Sequence, residues 1–226
     1  MKHHHIGSLA VVAAMLPLTF AVAQQTDLSS INAGYKDPNL QVEVWVDRLE
    51  SEGREVFDFR EEIIASTGLE PGQDVADVGA GTGLFQPLLA AAVGSEGTVY
   101  AVDIVPRFIE HIRTQAAERN LTQITAILGD DRSTGLPASS VDVAFVCDTY
   151  HHFEDYEAML ASIHEALRPG GKLVIVDYER REPRLDHIRA DKDQFTAEIE
   201  ANGFRFTEEI FIDGMEQSFI RHFERM

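Results

Sequence analysis

Short apolar runs alternate with longer helical stretches along most of this chain, and that alternation limits the fold more than any other feature. Residues 75–78, 98–102, 124–128, 141–147 and 173–176 read as strands. Between them, 83–93, 106–119 and 154–167 have helical periodicity. Pro106 suits a first helical turn, and Pro169-Gly170-Gly171 is a stop signal. Strands with almost no polar residue are buried on both faces, which requires a mostly parallel sheet covered by helices on each side. The ending departs from this pattern. A helical stretch over 186–201 closes at Asn202-Gly203, and runs at 204–212 and 217–223 are joined through Asp213-Gly214. That is a hairpin signal, so one terminal strand is expected to run antiparallel to the sheet.

A chain of 226 residues fits one such α/β domain. Its single cysteine, Cys147, excludes an internal disulfide and a cysteine-rich zinc site. With 38 acidic against 19 basic residues, the formal charge is −19. Such a field repels nucleic acid and anionic membrane surfaces, and no block of basic residues offsets it.

The first 23 residues stand apart. Lys2 and His3–His5 precede an apolar run from Ile6 to Val22, and Ala21-Val22-Ala23 has the small-x-small form of a signal-peptidase site. Residues 1–23 are therefore expected to be a signal peptide, with the mature chain periplasmic or secreted after cleavage near Ala23. If this leader does not work as a signal, the chain stays cytoplasmic. His3–His5 also fit the remnant of a tag. Pro17 and the short run argue against a stable membrane span. Residues 24–55 are expected to form a helical cap. Trp45 and Leu49 share one helical face there; Val56, Phe59, Ile63 and Ile64 share another at the start of the main domain, 56–226.

Asp77-Val78-Gly79-Ala80-Gly81-Thr82-Gly83 lies where a strand ends and a helix begins. Glycines there let the backbone turn tightly and approach a ligand closely, and the helix start offers free N–H groups. A dinucleotide fingerprint fails at this loop: counted from Gly79 its last position is Leu84, and from Gly81 it is Gln86. The Gly-Lys-Ser/Thr of a phosphate loop is absent. Asp77, two residues before the first glycine, suits a cationic ligand group such as an ammonium or a sulfonium. Asp103 ends the next strand, where an acid can accept ribose hydroxyl protons, and Ile104 beside it can pack on an adenine face. Gly129-Asp130-Asp131 ends the third strand, where a carboxylate can accept from an adenine amino group.

These motifs, with Leu167-Arg-Pro-Gly-Gly-Lys-Leu173, resemble those of the class I S-adenosylmethionine-dependent methyltransferases. The resemblance covers 56 to the C-terminus. It implies a Rossmann-like seven-stranded sheet and S-adenosyl-L-methionine as cofactor. Asp77 and Gly79, Ala80, Gly81, Thr82 and Gly83 would hold the methionine part, Asp103 with Ile104 the ribose and adenine face, and Gly129, Asp130 and Asp131 the adenine. Cys147-Asp-Thr-Tyr-His-His-Phe153 is similar to the segment that faces the methyl group in small-molecule members of the family. That resemblance implies a small-molecule methyl acceptor as partner, and the Asn-Pro-Pro-Tyr signature of nucleic acid amino-methylating enzymes is absent.

Within that segment, His151 is the preferred base or acceptor contact, because an imidazole titrates near neutrality. Asp148 is expected to touch cofactor or acceptor, and His152 to be structural. A metal held by Asp148, His151 and His152 is disfavoured, since adjacent histidines diverge in most backbones, and no metal is expected. His187 and Arg189 are read on a surface helix, Arg180, Arg181 and Arg184 as a solvated turn, and Tyr35 as a residue that could close over the cofactor. A rival function is a ligand-binding or sensing protein of the cell envelope that keeps the fold without turnover, because an exported chain has no obvious cofactor supply.

Overall fold

The computed structural model describes Met1 and residues 28–226. The signal-peptide reading of 1–23 lies outside the described residues. Two short helices open the described chain, α1 (Leu28–Asn32) and α2 (Val42–Leu49), followed by α3 (Glu55–Asp58) and α4 (Arg60–Ser66). The β-α alternation then runs through β1 (Val75–Val78), α5 (Gln86–Val93), β2 (Val99–Asp103), α6 (Pro106–Glu118), β3 (Ile124–Leu128), β4 (Val141–Cys147), α7 (Tyr156–Ala166) and β5 (Leu167–Tyr178). Helix α8 (Lys192–Ala201) and the strands β6 (Phe204–Ile210) and β7 (Ser218–Arg225) complete it.

The seven strands form one sheet in the order β3-β2-β1-β4-β5-β7-β6. Strands β1 to β5 pair in parallel, and β7 is antiparallel to both β5 and β6. This is the Rossmann-like sheet with one reversed strand expected from the hairpin signal. One face is covered by α7 and α8, whose Leu160, Ile163, Phe195 and Ile199 are buried with Ile175 and Phe223. The other is covered by α4 and α5, where Ile63, Leu89 and Val93 meet Val75, Val143 and Val174. Strand order reverses between β1 and β4, and ligands of such sheets bind outside the carboxyl ends at that crevice.

The N-terminal arm lies at this end. Leu40 is buried with Val105 and Phe108, and Tyr35 and Trp45 pack on them. The rings of Tyr35 and Trp45 lie 4.3 Å apart. Glu55, also buried, anchors the next segment to the C-terminal hairpin: its Oε1 accepts the backbone N–H groups of Glu216 and Gln217 at 2.5 and 2.8 Å.

Three boundaries differ from the sequence reading by three residues or more. Strand β5 begins at Leu167, through the Pro169-Gly170-Gly171 stop, because the chain leaves α7 directly into extended backbone and bulges between its pairings at Val141 and Val143. Helix α5 begins at Gln86, since Gly83 has a φ of 91°, outside the helical region. Helix α8 begins at Lys192, capped by the Asp191 carboxylate, and His187 and Arg189 fall in the irregular segment before it. Arg180 there donates to the Ile188 and Leu185 carbonyls, and Arg184 lies over the Tyr178 ring. These cations tie the segment down and are not a freely solvated turn.

Candidate functional site

The glycine loop leaves β1 and passes over β2. Gly79, Gly81 and Gly83 all have positive φ. A Cβ on Gly79 would lie 2.2 Å from Thr149 Cγ2, so the loop approaches the β4 end too closely for any side chain at that position. The Gly79 and Ala80 N–H groups donate to the Val102 carbonyl at 2.8 and 3.0 Å. Asp103 fixes the loop from the other side: its two oxygens accept the Gly81 and Val105 N–H groups, each at 2.8 Å. A carboxylate carries about four acceptor positions, so Asp103 keeps capacity for a further donor.

Asp77 is 2% exposed, and its Oδ2 accepts from the Gln86 amide at 2.6 Å. Burial, and then the charge of Asp103, pushes its carboxyl up to about 7. Burial likewise raises Asp103 to about 6, against the pull of its backbone donors. The Thr82 hydroxyl in the same loop is buried with no hydrogen-bond partner. The cleft beside them is lined by Val78, Val102, Ile104, Phe108, Asp130 and Asp131 among others. Ile104 exposes 37% of its surface, and Asp130 and Asp131 stand at the rim. Gly129 supports that rim: a Cβ there would lie 2.8 Å from the Ser133 carbonyl oxygen.

This set fits S-adenosylmethionine. Asp77 would face the positive methionine end, Asp103 the ribose hydroxyls, and Ile104 with Asp130 and Asp131 the adenine. The unpartnered Thr82 hydroxyl is a polar group that the cofactor would satisfy.

The other end of the cleft is built by the turn after β4. Asp148 adopts a φ of +52°, in the left-handed region that a non-glycine residue enters rarely. Its carboxylate pairs with the Arg54 guanidinium, which also donates to the Leu49 carbonyl at 2.7 Å. Burial raises the Asp148 carboxyl, and Arg54 opposes that shift. A short 3₁₀ turn, Tyr150–His152, follows. His151, expected to meet the acceptor, is fully buried and does not line the cleft. Its Nδ1 lies 2.7 Å from Asp177 Oδ1, its backbone N–H donates to Asp177 Oδ2 at 3.1 Å, and its Nε2 lies 3.2 Å from His187 Nε2. Burial disfavours its protonation, but the Asp177 carboxylate outweighs burial and raises it.

The tight turn sends His152 to the cleft instead. Its Nδ1 lies 2.7 Å from Asn32 Oδ1, and the Asn32 amide donates to the His152 carbonyl at 3.0 Å. Burial and the nearby imidazoles push His152 down to about 2 and His187 down to about 4. Tyr35 lines the cleft and meets the His152 ring edge-on at 5.1 Å. Lys36 joins Glu154 at 2.7 Å and Asp131 at 3.5 Å, so the arm is bonded to both banks.

Sequence reasoning missed Arg54, Asn32, Thr149 and Asp177. Arg54 and Asn32 meet partners 94 and 120 residues away, and no local pattern signals such pairs. Asp177 had a signal, an acid at the end of a buried strand, of the same kind that marked Asp77 and Asp103.

Residues 76–175 match a family model described as a methyltransferase domain. Among curated proteins, the chain is 36% identical over 103 residues to nocamycin O-methyltransferase of Saccharothrix syringae, covering 46% of this chain and 37% of that protein. It is 32% identical over 121 residues to aklanonic acid methyltransferase DauC of Streptomyces sp. (strain C5), covering 54% and 52%. The chain thus spans about half or less of the length of these relatives. Its fold matches the crystal structure of a SAM-dependent methyltransferase from Aquifex aeolicus with a TM-score of 0.74, at 23% identity, over 81% of this chain and 98% of the other. The strand-end acids, the glycine loop, the sheet order and these matches agree: residues 76–175 are a methyltransferase domain, and the sheet that carries them has the fold of the S-adenosylmethionine-dependent methyltransferases.

Proposed function

We propose that this chain transfers a methyl group from S-adenosylmethionine to a small organic acceptor held between the β4 turn and the N-terminal arm. The observation that carries the reading is the single cleft that runs from Asp77 and Asp103 to Asp148 and His152, with Tyr35 and Asn32 along its upper side. The cofactor supplies a methyl group already activated on a sulfonium, so the protein's main task is to position the reactants. Asp77 and Asp103 hold the donor. Arg54 fixes Asp148, and Asn32 fixes the His152 ring, so both are presented in one orientation. His151 is a positioning residue in this reading: clamped by Asp177 through ring and backbone, it sets the turn that aims His152. Tyr35 lines the cleft with Trp45 packed behind it, and this wall favours a compact acceptor over a polymer. Two relatives are named for small organic compounds, nocamycin and aklanonic acid, which supports the same class. The negative net charge disfavours a nucleic acid acceptor.

The test is turnover. The full chain is incubated with methyl-labelled S-adenosylmethionine and a panel of small phenols, acids, amines and thiols, and products are read by label transfer. Transfer to at least one class, lost in Asp103→Ala, is expected. No transfer to any acceptor, by protein that binds S-adenosylhomocysteine normally, would overturn the catalytic reading. We also propose export through cleavage near Ala23. N-terminal sequencing of chain recovered from the cell envelope or medium should start at Gln24, and an intact leader on cytoplasmic chain would contradict export.

A further inference from the structure

We propose that His151, His152 and His187 form a binding site for a divalent transition metal of the zinc class behind the acceptor end of the cleft, where only His152 lines the cleft wall. This goes beyond the methyl-transfer reading and reverses the expectation that no metal binds. That expectation rested on the divergence of adjacent histidines. The 3₁₀ turn removes it: the His151 and His152 rings lie 4.1 Å apart at 40°, and His187 closes the group with centroids at 4.9 and 5.2 Å.

One ligand nitrogen from each residue lies within 4.8 Å of the others. The Nε2 atoms of His151 and His187 are 3.2 Å apart. Two imidazoles on a tetrahedral zinc, with Zn–N of about 2.0–2.1 Å, have their nitrogens about 3.3 Å apart. That pair therefore already has the separation of a coordination edge, and the third ring must move by about 1.5 Å at most.

The outer contacts are also those of a metal site. Asp177 holds His151 Nδ1, and Asn32 Oδ1 holds His152 Nδ1. The Asn32 amide nitrogen is committed to the His152 carbonyl and to Glu154, so its oxygen faces the ring as an acceptor. Each ring thus has an oxygen acceptor for a proton on Nδ1, which leaves Nε2 as its ligating nitrogen, the arrangement of histidines oriented by an outer acceptor. A second trio of Asp148, His151 and Asp177 is also compact. Its carboxylates are engaged elsewhere: Asp148 with Arg54, and Asp177 with the His151 and Tyr178 N–H groups. Three imidazoles select zinc, copper or nickel over magnesium or calcium. They leave a fourth position for water or for an acceptor atom.

The experiment uses the full chain with His3, His4 and His5 replaced by Ser, so that the leader cannot bind metal. After chelation, the protein is titrated with Co²⁺ and then Zn²⁺, each against a chromophoric competitor. One Co²⁺ per chain with the intense visible absorption of a tetrahedral ion is expected, displaced by one Zn²⁺. His187→Ala should weaken binding at least tenfold while S-adenosylhomocysteine affinity and the melting transition stay unchanged. His187 is only half-buried, so this variant keeps the fold in a way His151→Ala need not. Absence of stoichiometric binding, or binding unaltered in His187→Ala, would overturn the proposal.

Discussion

Asp77 and Asp103 carry a sign that can be checked. Burial lifts them to about 7 and about 6 in the folded chain, from an ordinary value of 3.8. A raised carboxyl stabilises the fold below the unfolded value and loses that contribution as pH rises through the folded one. The cofactor-free protein should therefore lose stability from about pH 4 to pH 7. The cationic cofactor needs the ionised form, so its affinity should rise over the upper part of that window. Titration calorimetry at pH 5.5 and pH 8 should show tighter S-adenosylmethionine binding at pH 8 by at least about tenfold; equal affinities would contradict the role of Asp77. Thr82 offers a second check. Its hydroxyl is buried without a partner, so Thr82→Val should leave the melting temperature of the free protein unchanged or higher. The same variant should weaken cofactor binding about fivefold, the loss of roughly one hydrogen bond.

At the scale of elements, the N-terminal arm and the β4 turn are one unit joined by Arg54. Arg54→Gln leaves Asp148 as a half-buried carboxylate without its cation, which should cost about 1–3 kcal/mol in denaturant unfolding. The acceptor-side KM should rise more than the cofactor Kd, because the arm covers that end of the cleft. The strands were legible for a local reason. Val75–Val78 and Val141–Cys147 are nearly unbroken apolar runs, and a two-faced burial demands that. The three acids Asp77, Asp103 and Asp130 were legible because each lies within two residues of the end of its strand. What was hidden depended on distant chain. His187 reads as a helical surface residue, yet the segment before α8 folds back on its own side-chain bonds and brings it to His151. The choice between His151 and His152 was hidden too, since one residue of turn geometry decides which ring reaches the cleft.

For the whole molecule, net charge and sheet topology set the conditions. A charge of −19 makes the compact state repel itself, so moderate salt should raise the melting temperature of the free protein. A melting temperature that falls with added salt would assign stability to surface ion pairs instead. Among the described residues, no helix is long and apolar enough to cross a membrane. The sheet order puts the ends of β1, β2 and β4 side by side, and the account rests on that junction holding the cofactor. The most direct test is calorimetric titration of S-adenosylhomocysteine into the wild-type chain and into Asp103→Ala. We expect micromolar binding to the wild type, about −8 kcal/mol, and at least a hundredfold loss in Asp103→Ala with its circular dichroism unchanged. Equal affinity in the two proteins, or no binding to folded wild type, would contradict the placement of the cofactor at the strand ends.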